Sequence, residues 1–422
     1  MLSLSAAQTD VPETWQLTFE DIGEGEIKDM IRLPDGDLVI AGFINTAPGY
    51  PSENWLARID ANGNLVWSEL FGSDVRDEAL KVTLGPDDRL YVQTWEYRIP
   101  SQRRSIRLLH VFSLTGEKLW STGFAESPKE STYIHKLRFL KDGAVLVLGA
   151  SDQFKPHRDK RPFLVKADAD GAVIWRVDPP DIHNIKETYQ IALDNKSKTS
   201  ARRSSDGELY VDEIPISVDL IENQYFELRT YLASGIFLNP NPENDYPKLC
   251  YRISLEGSIS TDMPCNEKSS PVDSEDRFYG GSSTIPFHSN PRIIKTDENG
   301  KTIWKTLLTE IKQGSIYDTI EAADGNHYAV GVVDVGGKNP MHAYDGFIAK
   351  LDQAGRVLWL KSIGGSRRDG LRKILQASDG SLYVAGYTGS QRAVQWSPWL
   401  MKLTSDGELT GDALEDLEAF QE

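Results

Sequence analysis

The sequence predicts an all-β fold: a seven-bladed β-propeller of four-stranded antiparallel blades, its ring closed by an N-terminal strand. Three observations predict it. A phrase ending in Trp recurs, an Asp-Gly phrase recurs about midway between its copies, and the two chain ends carry complementary parts of one repeat. Trp15, Trp67, Trp120, Trp175, Trp304 and Trp359 lie 52, 53, 55, 129 and 55 residues apart, the long gap holding two units plus extra sequence.

The first segment, Thr14 to Phe19, reads as a fourth strand (D) with no A, B or C strand before it. Each following unit supplies an A–B turn built on Asp-Gly, as in Leu33-Pro-Asp-Gly36, Lys141-Asp-Gly143, Ser205-Asp-Gly207, Ala323-Asp-Gly325 and Ser378-Asp-Gly380. Asp-Gly between short β-rich runs is a hairpin signal, because Gly accepts the positive φ of a tight turn. The C–D turn is the second phrase. It is seen in Arg58-Ile-Asp-Ala-Asn-Gly-Asn-Leu-Val-Trp67, Lys166 to Trp175, Lys295 to Trp304 and Lys350 to Trp359, and more loosely in Val111 to Trp120. Strand D begins at the Trp. The last unit supplies A to C and trails off after Gly407, so the N-terminal strand is expected to complete it and remove the open edges.

Around this domain, expected over 14–413, residues 1–13 read as a disordered leader or a signal-peptide remnant, with Ser5-Ala6-Ala7 supporting the second reading. Residues 414–422 read as an acidic tail, and an irregular insertion is expected over about 214–247 in the fourth unit. Cys250 and Cys265 flank the Leu255–Ser258 turn at similar distances, which suits a disulfide across a hairpin. Two unpaired thiols are the other reading. A disulfide would suit an extracellular or periplasmic protein.

Composition excludes several classes. With two Cys the chain is not a disulfide-rich scaffold and holds no four-thiolate zinc site. No apolar run reaches the length of a membrane helix. The net charge of −17 argues against a nucleic-acid partner, since phosphate contact needs a basic face. Asp168-Ala-Asp170-Gly and Asp297-Glu-Asn-Gly300 imitate calcium-loop fragments but lack the full ligand ladder. No metal or cofactor is expected, and the chain is expected to be a monomer.

The stereotyped A–B and C–D turns share one face, and the long, varied B–C and D–A connections share the other. Basic residues concentrate in those long loops. Arg98, Arg103, Arg104 and Arg107 stand against Glu96. Lys155, Arg158, Lys160 and Arg161 stand against Asp152 and Asp159. Arg367, Arg368, Arg372 and Lys373 stand against Asp369. A basic patch on an acidic body suits an anionic ligand, and Arg forks suit carboxylate or sulfate. A solvated loop without a ligand is the competing reading. Trp396, off the repeat, is a candidate for stacking on a sugar, whereas Trp399 aligns with Trp55, Phe163 and Phe347 as core. His135, His157 and His183, with Tyr97, Tyr133 and Tyr344, are the candidates for acid–base chemistry.

The Asp-x-x-Gly-x-x-x-Trp phrase resembles the tryptophan-docking motif of quinoprotein-type propellers, which implies that the repeated Trp residues are structural. Those dehydrogenases are usually eight-bladed and carry adjacent cysteines beside the quinone, and neither feature is present here. Secreted bacterial seven-bladed repeat proteins are similar, with Gly364-Gly-Ser-Arg-Arg-Asp369 opening a unit of their kind. The first expectation for function is therefore non-catalytic binding of a protein or anionic carbohydrate through the long-loop face. The second is a lyase-type enzyme on an anionic polysaccharide, by fold-level likeness to propeller lyases.

Overall fold

The computed structural model describes residues 14–46, 51–73, 76–99, 104–127, 130–153, 160–179, 202–203, 209–210, 212–221, 225–233, 248–260, 278–281, 291–297, 302–335, 344–390 and 396–410. Strand β1 is Trp15–Thr18. The first blade is β2 (Glu24–Arg32), β3 (Leu38–Asn45), β4 (Glu53–Ile59) and β5 (Leu65–Phe71). The second is β6 (Asp77–Leu84), β7 (Leu90–Ile99), β8 (Arg104–Phe112) and β9 (Lys118–Gly123). The third is β10 (Glu130–Phe139), β11 (Val145–Gln153), β12 (Lys160–Ala167) and β13 (Val173–Val177). A short pair follows, β14 (Arg202–Arg203) and β15 (Leu209–Tyr210). The fourth blade is β16 (Asp212–Ile221), β17 (Tyr225–Ala233), β18 (Lys248–Ser254) and β19 (Ile259–Ser260). The fifth shows β20 (Phe278–Gly281), β21 (Arg292–Thr296) and β22 (Thr302–Leu307). The sixth is β23 (Gly314–Glu321), β24 (His327–Asp334), β25 (Tyr344–Leu351) and β26 (Val357–Ile363). The seventh is β27 (Asp369–Gln376), β28 (Leu382–Thr388), β29 (Ser397–Leu403) and, from the other end of the chain, β1.

These are the sheets of an all-β, seven-bladed β-propeller: among the described residues six blades have four strands and one has three. Every pairing whose register is described is antiparallel, and β1 pairs with β29 in the register Trp15↔Lys402 to Thr18↔Trp399. The second strands are apolar and buried on both faces, as in Leu38-Val-Ile-Ala-Gly-Phe-Ile. The outermost strands are half exposed, so Leu65, Val66 and Leu70 of β5 face water. That gradient explains why the second strands read as continuous apolar runs rather than alternating ones.

The chain clusters into two compact modules, one of residues 1–70, 280–294 and 304–422, the other of 71–279 and 295–303. In the first, Trp55, Phe19, Tyr383 and Leu400 form one core, and Trp399, Tyr328, Ile374 and Met401 form another. In the second, Tyr91, Leu109, Val147 and Phe163 pack together, and so do Leu148, Leu164, Leu228 and Tyr251.

The repeated phrases do separate jobs. Asp60, Asp168 and Asp352 each accept the backbone N–H groups two and four residues on, at 2.8–3.0 Å. This local bonding holds the Asp60 and Asp352 carboxyls below their usual range, and it spends Asp168 on its own turn. The Trp lies on the turn Gly of the next blade within each module. A Cβ on Gly171, whose φ is +85°, would stand 2.5 Å from the Trp120 ring. Gly63 under Trp15, Gly257 under Trp175, Gly355 under Trp304 and Gly407 under Trp359 repeat the contact. The indole N–H donates to a carbonyl of the same turn for Trp120 (Ala169, 3.0 Å), Trp175 (Leu255, 3.0 Å) and Trp304 (Gln353, 3.2 Å).

One expectation fails in the fourth blade. Much of the stretch expected to be an irregular insertion, 214–247, is strand: β16 and β17 pair from Asp212↔Ala233 to Ile221↔Tyr225. Ile214, Ile216, Val218 and Leu220 alternate as a strand should, but the turn after them, Glu222-Asn-Gln224, lacks Asp-Gly. The Asp206-Gly207 phrase instead falls between β14 and β15, outside the four-stranded sheet. Of the two cysteines, Cys250 lies in β18 and Cys265 is outside the described residues, as are the leader and the acidic tail.

Candidate functional site

The B–C connections are shorter than the sequence suggests. Strand β7 runs to Ile99 and β8 starts at Arg104, with Tyr97↔Ser105 and Ile99↔Arg104 paired. Arg98 and Arg104 are thus strand residues. Arg103, Lys155, His157, Arg158 and His183 lie outside the described residues.

Acidic residues at the starts of first strands fasten the loops of this face. Asp369 accepts from Gly365 N–H at 2.9 Å, Gly389 N–H at 3.1 Å and Ser390 Oγ at 2.6 Å, and from Thr388 Oγ1. Asp77 accepts from Ser73 Oγ at 2.9 Å and from Ser73 N–H, and Glu130 accepts from Glu126 N–H. The shared pattern Gly-Ser-x-x-x-Asp in Gly72–Asp77 and Gly365–Asp369 (where one residue fewer intervenes) is legible in the sequence.

The first module holds a fully paired charge cluster. Each described first strand carries a bulge at one equivalent place, and Lys28, Tyr317 and Arg372 occupy it in β2, β23 and β27. A bulge re-aims its residue, and these three meet. Arg372 stands 4.0 Å from the Tyr317 ring centre and donates to Glu26, and Lys28 reaches the other Glu26 oxygen at 2.6 Å. Lys373 lies 3.5 Å from Asp29 and 3.4 Å from Asp318. Burial works against the Arg372 charge, but Glu26 and Tyr317 carry its pKa above the ordinary value. Burial pushes Asp318 up despite Lys373. Arg372 and Lys373, counted as loop cations by sequence, are therefore strand residues neutralised by carboxylates. Their partners lie far away in sequence.

Arg367 and Arg368 do lie in the connection before β27. Arg368 sits 5.6 Å from the ring centre of Tyr344, the first residue of β25. Next to Tyr344 in the strand, Asp345 Oδ1 is buried without a hydrogen-bond donor. Burial, then the Asp369 charge, pushes the Asp345 carboxyl up to about 6. Trp396 is half-buried near Tyr387, ring centres 6.4 Å apart, and its carbonyl accepts the Gly25 N–H at 3.1 Å. Trp399 is core, 1% exposed.

The second module holds a cluster that is not balanced. Glu78, Trp95 and Arg107 are directly opposite one another across β6, β7 and β8 and so share one sheet face. Arg76 donates to Glu78 Oε1 through Nε at 3.1 Å and Nη2 at 2.7 Å. Both guanidinium groups lie over Trp95, at 5.6 and 5.7 Å from its centre, and Arg107 is also 5.8 Å from the centre of Tyr133 in β10. Tyr97 packs on Trp95 at 4.5 Å. The Arg107 N–H donates to Thr132 Oγ1 at 3.1 Å, and Ser151 and then Arg161 lie directly opposite Thr132. Among the described residues Arg107 has no carboxylate within ion-pair distance, and its Nη1 is buried with no acceptor. Burial pulls its pKa down to about 10 against the opposing pull of Tyr133 and Glu78.

His135 occupies the bulge of β10, two residues from Tyr133. His110 is a buried strand residue, 3.2 Å from both Thr94 Oγ1 and Glu96 Oε1, with its pKa held down by burial. Among the described residues no three His, Cys, Asp or Glu side chains gather as a metal site, and no helix is long and apolar enough to cross a membrane. Sequence reasoning missed Trp95 and passed over Arg107. The available signal was a Trp outside the repeated phrase, next to a basic window.

No family model matches the chain, and no curated protein does. Solved structures similar to it are β-propellers. The β-propeller domain of the trilobed protease from Pyrococcus furiosus is 11% identical with a TM-score of 0.39, over 92% of this chain and 97% of that one. A glucose dehydrogenase is 12% identical with a TM-score of 0.37, over 93% and 99%. Trypanosoma rangeli sialidase, in complex with sialic acid, is 10% identical with a TM-score of 0.40, over 97% of this chain and 59% of that one. At these values the likenesses carry no argument about activity.

Proposed function

We propose that this chain is a non-catalytic, extracytoplasmic binding propeller whose long-loop face takes an anionic ligand. The observation that carries the reading is Arg107: a guanidinium 5.7 Å from the Trp95 and 5.8 Å from the Tyr133 ring centre, with no ion-pair carboxylate among the described residues and a buried donor without an acceptor. A desolvated cation without an ion-pair partner is costly, and an anion in reach of the guanidinium would offset that cost. The contrast with the neutralised Arg372 cluster supports the choice of module. The Ser5-Ala6-Ala7 segment and the Cys250/Cys265 pair support export. The repeated Trp residues are read as structural, of the tryptophan-docking kind.

The test compares thermal unfolding of the wild type and Arg107→Met with carboxylated, sulfated and neutral polysaccharides. The wild type is expected to gain stability with an anionic one. Arg107→Met is expected to lose that gain while its own stability stays level or rises by about 1 kcal/mol. A drop of about 3 kcal/mol in the free variant, the cost of breaking a structural ion pair, would identify Arg107 as a structural cation and end the reading. The juxtaposition of Tyr133 and Arg107 also favours a second reading, β-elimination from an anionic polysaccharide. Ultraviolet absorbance of an unsaturated product, lost in Tyr133→Phe, would establish it.

A further inference from the structure

Resting on that reading, we infer that the anion is a single carboxylate on a saturated ring, as in an acidic sugar residue, rather than a phosphate or sulfate ester. Three features of the second module lead there.

The first is charge. Arg76 spends two donors on one oxygen of Glu78 and is balanced by it. Among the described residues Arg76, Glu78 and Arg107 together carry one net positive charge, which one monoanion neutralises. A phosphate monoester, near −2 at neutral pH, would leave excess negative charge two strands from Glu78, with Glu78 itself buried.

The second is shape. The guanidinium lies over two aromatic rings, and its backbone is tied to Thr132. The donors of a planar guanidinium fork match the two coplanar oxygens of a carboxylate. A tetrahedral sulfate or phosphate gains less from such a fork when aromatic groups crowd its third and fourth oxygens.

The third is the surround. Trp95 and Tyr97 pack at 4.5 Å and are half-buried, and the Arg107 guanidinium also lies 5.8 Å from the Tyr133 ring centre. These rings offer apolar surface with polar tips beside the cation, suited to the C–H face and hydroxyl rim of a pyranose carrying the carboxylate.

The test is calorimetric titration of the full chain with glucuronate, glucose, glucose 6-sulfate and glucose 6-phosphate. Glucuronate is expected to bind at least tenfold more tightly than the other three. Arg107→Lys, which keeps the charge and removes the fork, is expected to weaken it at least fivefold, and Trp95→Ala to weaken it further, with each variant's fold checked by its unfolding midpoint. Binding of the sulfate or phosphate ester as tight as that of glucuronate would overturn the carboxylate assignment and leave the anion-binding reading standing. Glucuronate binding that is unchanged in Arg107→Lys would overturn the assignment too. If no sugar acid binds although anionic polysaccharides still stabilise the protein, the acidic-sugar class is wrong. If neither occurs, both readings fall.

Discussion

At the scale of single residues, Asp345 and Arg107 stand out because each holds a buried polar atom without a hydrogen-bond partner. Asp345 predicts a pH dependence whose sign follows from linkage. Its carboxyl, raised to about 6 in the folded protein, starts from an ordinary value of 3.8. Below both values it is protonated in folded and unfolded chains alike and costs nothing. Between them the folded state holds more protons, so stability falls as pH rises from about 4 to 6 and stays lower above that. The full shift corresponds to about 3 kcal/mol at neutral pH, and solvent screening of this half-buried carboxyl lowers it. Asp345→Asn is therefore expected to raise the urea midpoint at pH 7.5 and to flatten its pH profile between 4 and 6. An unchanged profile would mean that Asp345 is ordinarily solvated. Arg107 is the cationic counterpart, and its residue-scale test is the stability of Arg107→Met.

At the scale of elements, the repeat shows which glycines serve the turn and which also serve the next blade. Gly171 and Gly380 have nearly the same φ, +85° and +87°. A Cβ on Gly171 meets the Trp120 ring at 2.5 Å, whereas one on Gly380 meets nothing within 4 Å. Gly380→Ala is expected to cost about 1 kcal/mol for the left-handed backbone alone, and Gly171→Ala about 2–4 kcal/mol with the displaced indole added. Equal losses in denaturant unfolding would show that the indole contact contributes little. The bulges are a second element-scale device. Two residues before the bulge, Glu26, Glu78 and Gly370 stand opposite Phe43, Trp95 and Tyr387. Each of those rings has a cation over it: Lys28 at 5.2 Å, Arg76 and Arg107, and Arg372 at 5.6 Å. One repeated position thus builds a ring–cation contact in three blades, and only in the second is a cation left without a carboxylate. Asp-Gly turns and Trp phrases made these elements legible. The hairpin of β16 and β17 was not, because its turn lacks the Gly that marks the others.

At the scale of the whole molecule, the chain ends are joined by one strand. Besides the β1–β29 pairing, Thr410 N–H donates to Thr14 Oγ1 at 2.8 Å and the Trp399 indole donates to Gln16 Oε1 at 3.1 Å. Trp15 covers Gly63 and packs 5.9 Å from Tyr383. Removing residues 1–18 would open an edge on β29 and uncover the core around Trp55 and Tyr383, against which Trp15 and Leu17 pack. The expected outcome is loss of ~5 kcal/mol or more, on the order of a whole domain's stability. It would be seen as a lost cooperative transition by calorimetry and as aggregation by size exclusion. A truncated chain that unfolds like the wild type would show β1 to be dispensable. The net charge of −17 is likewise organised at this scale, because Arg372, Lys373 and Arg176 are each held by acidic residues.

The sequence by itself determined the all-β class, the seven units, the two turn chemistries and the borrowed first strand. Each of these rests on residues close together in the chain or on a period that repeats along it. Tertiary structure alone decided which basic residues are free to meet a ligand. Glu26 neutralises Arg372 from 346 positions away, and Tyr133 of the third blade closes on Arg107 of the second. Charge pairing and desolvation depend on distance in space, so a basic window in the sequence shows where cations are without showing which of them lack a partner.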